Sequence, residues 1–230
     1  MTMTFLQLSQ RLRQEAGLTG SGPTSTVSQT GISKQVVDWI NTAYIDVLSQ
    51  HSNWLFMQDT FSFQTVASKR EYSVAETGVT DLEKWKADDY GTFRAYLTSS
   101  GANTEQYMYS LLWEDYRQMY LYGATRTSEG YPTYITVQPD NGLNLYLVPD
   151  NIYTITGEYF KTPTELSGDT DVPIIPAQFQ MIIVWRALMF YAGFDAANEK
   201  YAMGKNEYTK ILMRLEIDRL PQMTFGGPLA

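Results

Sequence analysis

Residues 131–160 read YPTYITVQPDNGLNLYLVPDNIYTITGEYF, and the fold class turns on them. Three runs, 131–138, 143–148 and 152–160, alternate apolar with polar residues, the period-2 pattern of half-buried strands. Pro139-Asp140-Asn141-Gly142 separates the first two runs, and Asn-Gly tolerates the positive φ that a tight hairpin turn requires. Pro149-Asp150-Asn151 is expected to turn the second run into the third. The expectation is an antiparallel meander carrying Tyr134, Leu145, Tyr146, Tyr153 and Tyr159 on its faces.

Moving outward toward the N-terminus, Phe61, Phe63 and Thr65 alternate with Ser62, Gln64 and Val66, and 71–74 makes a short second strand after a turn at 67–70. Residues 80–86 read as a helical turn, 93–98 and 107–112 as strands, and 114–122 as a short helix closed at Gly123. Beyond this block the apolar period changes to 3.6. Thr4 and Gln7 fit a capping box opening a helix over 4–16, with Phe5, Leu8 and Leu12 on one face and Gly17 placed for a left-handed cap. A second helix is expected over 33–52, with Val36, Ile40, Ala43, Tyr44, Val47 and Leu48 as its stripe, Trp39 on the flank and His51 in the last turn facing the helix dipole. On the far side of the strands, 176–191 is apolar nearly all round and reads as the most buried helix of the chain; a break at Gly193 precedes a last helix over 196–218. The stretch 179–194 is too short for the roughly 20 residues a bilayer requires.

Two helices, a β block and two helices make an α+β chain: a helical bundle built from both ends, carrying an inserted antiparallel β-sandwich or meander. The boundaries read 1–53 and 162–220 for the helical body, 54–161 for the β-rich insertion and 221–230 for an extended tail containing two Pro and two Gly.

Composition bounds the chemistry. Among 230 residues there is no cysteine, which removes disulfides, thiol nucleophiles and thiolate zinc sites, and only one histidine, His51. The net charge of −8 opposes ordinary grip on a phosphate backbone. Seventeen tyrosines and five tryptophans are too many for a disordered chain. Three acidic pairs, Asp88-Asp89, Glu114-Asp115 and Asp169 with Asp171, are the candidates for acid/base work, but solvated loops and helix first turns are the plainer explanation of them. Gly20-Ser21-Gly22 lacks the strand and the GK[ST] of a phosphate cradle. Tyr107, Tyr109, Tyr116, Tyr120 and Tyr122 cluster in the sequence; with one acidic pair they could stack on a sugar, and as contact residues they suit an interface. No catalytic or metal-binding residue and no cofactor is assigned. The apolar anchors of the tail, Leu220, Pro221, Met223 and Phe225, suit a segment that orders on a partner.

Several of these strings occur together: Thr4-Phe5-Leu6-Gln7-Leu8 with Arg11 to Gly17 and Gly20 to Pro23; Val37-Asp38-Trp39-Ile40-Asn41; Asn53-Trp54; Tyr153 to Lys161; and Pro173 through Phe179 to Val184-Trp185-Arg186-Ala187-Leu188. In this combination the chain resembles the head-to-tail adaptor, or connector, proteins of tailed and chiefly short-tailed bacteriophages. The resemblance implies a non-enzymatic virion protein of the neck, assembled in the host cytoplasm as a ring beneath the portal, usually twelvefold, that extends the DNA channel toward the tail nozzle or fibres. It implies portal contact through Leu220, Pro221, Met223 and Phe225, with DNA as cargo and no membrane. A ring needs two different contact patches per subunit; Trp39, Tyr201, Tyr208 and Tyr120 are the aromatic candidates. The rival function is a tail component that binds or cleaves glycans through Tyr120 and Glu114.

Overall fold

The computed structural model describes residues 2–20, 22–87 and 92–221. The chain forms two compact units, residues 1–57 with 163–230, and residues 58–162. The first unit holds four helices: α1 (Phe5–Ala16), α2 (Gly31–Leu48) and, after the β unit, α4 (Met181–Phe194) and α5 (Asn198–Arg219), with α3 (Trp113–Tyr120) belonging to the second unit. The capping box on α1 is formed, Thr4 Oγ1 accepting from the Gln7 amide and Gln7 Oε1 from the Thr4 amide, and Gly17 closes the helix at φ 76°. α4 is apolar on nearly every side, so most of it lies at the centre, and only its last residues, Gly193 and Phe194, are exposed. α1 and α2 pack on it, and α5 runs along it where Gly204 permits close approach: a Cβ there would stand 3.1 Å from the Trp185 carbonyl oxygen. Leu8, Leu12, Ile40, Val47, Ile182, Leu188 and Leu215 are completely buried in this core.

Three details differ from expectation. The helix break falls at Asp195 to Ala197 rather than at Gly193, with Ala196 taking the positive φ (52°) while Gly193 completes the last turn of α4. α2 stops at Leu48, so His51 does not cap it; its Nε2 lies 2.9 Å from Glu216 Oε1 on α5, and its ring stands edge-on to Trp54. Trp54 and Met57 are buried in the helical core, where the Trp54 indole donates to the Leu48 carbonyl.

The second unit carries the strands β1 (Gln58–Gln64), β2 (Glu71–Tyr72), β3 (Leu82–Trp85), β4 (Arg94–Leu97), β5 (Gln106–Tyr107), β6 (Tyr109–Leu111), β7 (Glu129–Gly130), β8 (Tyr134–Val137), β9 (Leu143–Tyr146), β10 (Val148–Pro149) and β11 (Tyr153–Lys161). The Asn-Gly hairpin is present: β8 and β9 pair antiparallel, Ile135 opposite Leu145 and Tyr134 opposite Tyr146, with Asn141 at φ 65°. The three-strand meander is not. β11 crosses to a larger sheet, where it pairs with β1 on one side and with β4 and β3 on the other, while β2, β9, β8 and β6 form the smaller sheet. Residues 82–85, expected in a helical turn, form β3 because β11 offers an open edge that pairs Trp85 with Tyr159. β1 and β2, read as neighbours, sit in different sheets, and 107–112 divides between the sheets as β5 and β6. Two pairings, β6 with β8 and β7 with β10, are parallel.

Phe61, Phe63, Trp85, Ala95, Ile155 and Tyr159 from the larger sheet share one buried cluster with Tyr72, Ile135, Leu143 and Leu145 from the smaller, the arrangement of a β-sandwich. Gly157 makes this core possible. It pairs with Phe61, and an added Cβ would lie 2.7 Å from Phe61 Cε1 and 2.8 Å from Phe93 Cδ1. The chain is therefore α+β, with N- and C-terminal helices flanking a β-rich region. Replacing Gly157 by Ala should destabilise this unit by about 1–3 kcal/mol through overpacking. Urea unfolding followed by aromatic near-ultraviolet signal measures it, and an unchanged midpoint would show that the rings are not held where described.

Candidate interaction surfaces

α3 lies on the outer face of the smaller sheet. Its Tyr116 is fully buried and its hydroxyl meets Asn144 Oδ1 at 2.8 Å and the Leu145 carbonyl at 2.7 Å, while Arg70 Nη2 donates to it at 2.8 Å. Asn144 in turn donates to Glu71 Oε1. This closed polar network fixes the helix to the sheet. One turn on, the Tyr120 ring stacks on Tyr146 at 3.8 Å and on Tyr134 at 5.7 Å, and Tyr109 continues the row beyond Tyr134. The register explains the row: Tyr109, Tyr134 and Tyr146 occupy paired positions on neighbouring strands β6, β8 and β9. Tyr107, Tyr109 and Tyr122 remain exposed.

The four aromatic interface candidates have different surroundings. Trp39 is half-buried, edge-on to Tyr191 and tilted against Phe194. Tyr208 is half-buried beneath the Arg186 guanidinium, 5.6 Å from its ring centre, and burial raises its pKa. Tyr120 is held in the tyrosine row of the β unit. Of the four only Tyr201 is largely open, at 44% exposure. Of the tail anchors, Leu220 is half-buried against the helical core with its amide bonded to the Glu216 carbonyl, and Pro221 is exposed. Met223, Phe225 and the remainder of 222–230 lie outside the described residues.

Two of the three acidic pairs have structural employment. Glu114 and Asp115 occupy the first turn of α3, where carboxylates complement the helix dipole. Glu114 and Tyr120 are six positions apart on that helix and so point to different sides. Asp169 accepts from Ser25 and from the amide and hydroxyl of Thr26, which hold its carboxyl below the usual carboxylate range; Asp171 is lowered in the same way by the amides of Gly168 and Ser167. Asp88 and Asp89 lie outside the described residues. A concavity of about 670 Å³ on the larger sheet is lined by charges that already pair, Lys86 with Glu158 at 2.7 Å and Arg94 with Glu105 at 3.0 Å. Among the described residues no group of three or more His, Asp or Glu is placed to hold a metal, and no helix is long and apolar enough to cross a membrane.

Sequence reasoning overlooked a second apolar stripe on α5, formed by Met203, Met213 and Ile217, and a groove on α2 lined by Asp38, Thr42, Ile45, Asp46 and Glu165. The signal was available: 203, 206, 210, 213 and 217 follow alternate spacings of three and four, opposite the face that meets α4.

Each of the two compact units thus carries exposed aromatic or apolar residues, and many of the ionisable groups described are held in ion pairs or helix first turns. A family model for SU10 adaptor proteins matches residues 3–229, nearly the whole chain, and the chain belongs to that family, one of phage head-to-tail adaptors. It is thus a structural protein of a bacteriophage. A search of curated proteins gave no significant match.

Two tests address the β unit. Tyr116→Phe should cost about 1–3 kcal/mol, because Arg70 and the Leu145 carbonyl lose a buried partner; a change within error in urea unfolding would contradict the network. Burial pushes Tyr116, Tyr153 and Tyr159 up to about 12, reinforced at Tyr153 and Tyr159 by the carboxylates of Asp150 and Asp81 that accept from their hydroxyls. The unfolded chain ionises these phenols near 10, so their contribution is complete below pH 10 and is lost as pH rises toward 12. A phenolate absorbance titration should show a late class ionising together with loss of near-ultraviolet signal. A single class ionising near 10 would contradict it.

Proposed function

We propose that this adaptor works as one subunit of a closed ring seated beneath the portal, usually twelvefold in proteins of this kind, and that the ring lengthens the DNA channel toward the tail nozzle or fibres. The observation that carries the reading is the family match over residues 3–229. The virion neck is then its place and the host cytoplasm its site of assembly. Its partners are other copies of itself, the portal and tail proteins, with DNA passing as cargo.

The charge balance supports a conduit. A chain at −8 repeated around a bore gives a wall that repels phosphates rather than gripping them. The tail is the portal contact in this reading. Leu220 and Pro221 lead out of α5, and Met223 and Phe225 supply apolar anchors that order on a partner. Nothing in the geometry favours the glycan reading, since Glu114 and Tyr120 do not face a common site.

Light scattering of the chain with and without its cognate portal tests this. A single copy in solution that becomes a multi-copy ring on the portal is expected. Removal of 221–230 should abolish docking and leave the melting temperature unchanged. A truncated chain that still docks would show that the portal contact lies elsewhere.

A further inference from the structure

α5 is a helix with two apolar sides. The inner side, through Gly204 and Leu215 with Tyr208, Ile211 and Leu212, meets α4 and the helical core. On the opposite side Met203, Asn206, Lys210, Met213 and Ile217 succeed one another at alternate spacings of three and four, the seam of a helix that packs against a second helix. Met203, Met213 and Ile217 are 38%, 57% and 77% exposed. Beside the seam, Arg214 has no hydrogen bond or ion pair among the described residues. α5 holds five basic and four acidic residues, leaving twelve and twenty-one for all the rest, so this one helix is positive on an acidic chain.

The helical unit also contains the complementary surface. The outward side of α2 and the segment after the β unit enclose a groove of about 490 Å³, with Ile45 at its floor and Asp38, Asp46 and Glu165 around it. Glu165 is fixed over α2 because Asn41 makes two hydrogen bonds, each 2.9 Å, with the backbone of the next residue, Leu166. Glu165 has no ion-pair partner among the described residues, and Asp38 has only the exposed Lys34 pair, one that stabilises by a few tenths of a kcal/mol. Seam and groove are different surfaces: Arg186 of α4 bonds to Asp46 in the groove at 2.7 Å and lies over Tyr208 on the inner side of α5, so the groove borders that inner side while the seam faces away from it.

We propose that the outer seam of α5 in one copy docks into the α2 groove of the next, with Ile217 and Met213 against Ile45 and Arg214 meeting Glu165. Two different patches give a heterologous contact that repeats head to tail and closes when its rotation divides a full turn. Charge complementarity selects a second copy as the occupant: Lys210 on the seam is already paired with Glu207, Arg214 beside the seam is a cation without a partner among the described residues, and Glu165 of the groove is a carboxylate without one in the same unit of the same chain. The inference rests on the ring reading and names its contact.

The chain lacks cysteine, so introduced thiols have no background. A chain carrying both Ile217→Cys and Thr42→Cys, oxidised after assembly on the cognate portal, should give a ladder of disulfide-linked multimers, and either single variant should give none. Separately, Arg214→Glu and Glu165→Arg should each weaken assembly at least roughly tenfold, and the combined swap should restore it. All four positions are exposed, so the melting temperature should not move. Dimers from Ile217→Cys alone would mean that α5 meets α5 about a twofold axis and would overturn the proposal. So would a ring that forms normally yet gives no cross-link in the double variant. A wild-type chain that stays single on the portal removes the ring reading itself, and is seen before any substitution is made.

Discussion

The structure depends on one constraint: α4 is apolar on nearly every side, and most of its length must be kept from water. Eight of its fourteen residues are buried, and each Leu, Ile or Val among them contributes about 1.5–3 kcal/mol when taken from water. No single neighbour can cover a whole helix. α1 and α2 cover one side, and α5 covers another at the short distance Gly204 permits. Since α1 and α2 open the chain and α4 and α5 follow residue 163, the two ends must meet. Everything between Met57 and Pro163 is therefore a loop out of the helical unit, large enough to fold on its own core.

That insertion solves a second packing problem with glycine. Five aromatic rings, Phe61, Phe63, Trp85, Phe93 and Tyr159, crowd the middle of the sandwich. The strand beneath them has no side chain at Gly157. On the outside of the smaller sheet the polar network of Arg70, Tyr116 and Asn144 holds α3 in place, and a tyrosine row follows from strand register.

Elements governed by local chemistry were legible in the sequence. The α1 capping box, the Asn141-Gly142 hairpin and the apolar girth of α4 are each set by a few neighbouring residues, and they form as read. What failed was governed by distant partners. Pro149-Asp150-Asn151 turns the chain, but only sheet packing decides that β11 joins β1 rather than β9. Residues 82–85 have helix-compatible composition, and the free edge of β11 makes them a strand. His51 found Glu216, 165 positions away, instead of a helix dipole. At the candidate surfaces, Trp39 and Tyr208 are half-buried against Tyr191 and Arg186, and the more exposed apolar residues of α5 are Met and Ile in a helix whose two apolar sides cancel any simple amphipathic signal.

If the proposed ring forms, copies of this adaptor bond to one another, and the helical unit has exposed surface on α2 and on the outer side of α5 for that contact. The proposed association runs through the helical units. Electron cryomicroscopy of the chain assembled on its cognate portal tests this association. A closed ring in which helical units touch their neighbours continuously is expected. A ring joined through the β-sandwiches, with the helical units standing apart in solvent, would contradict it.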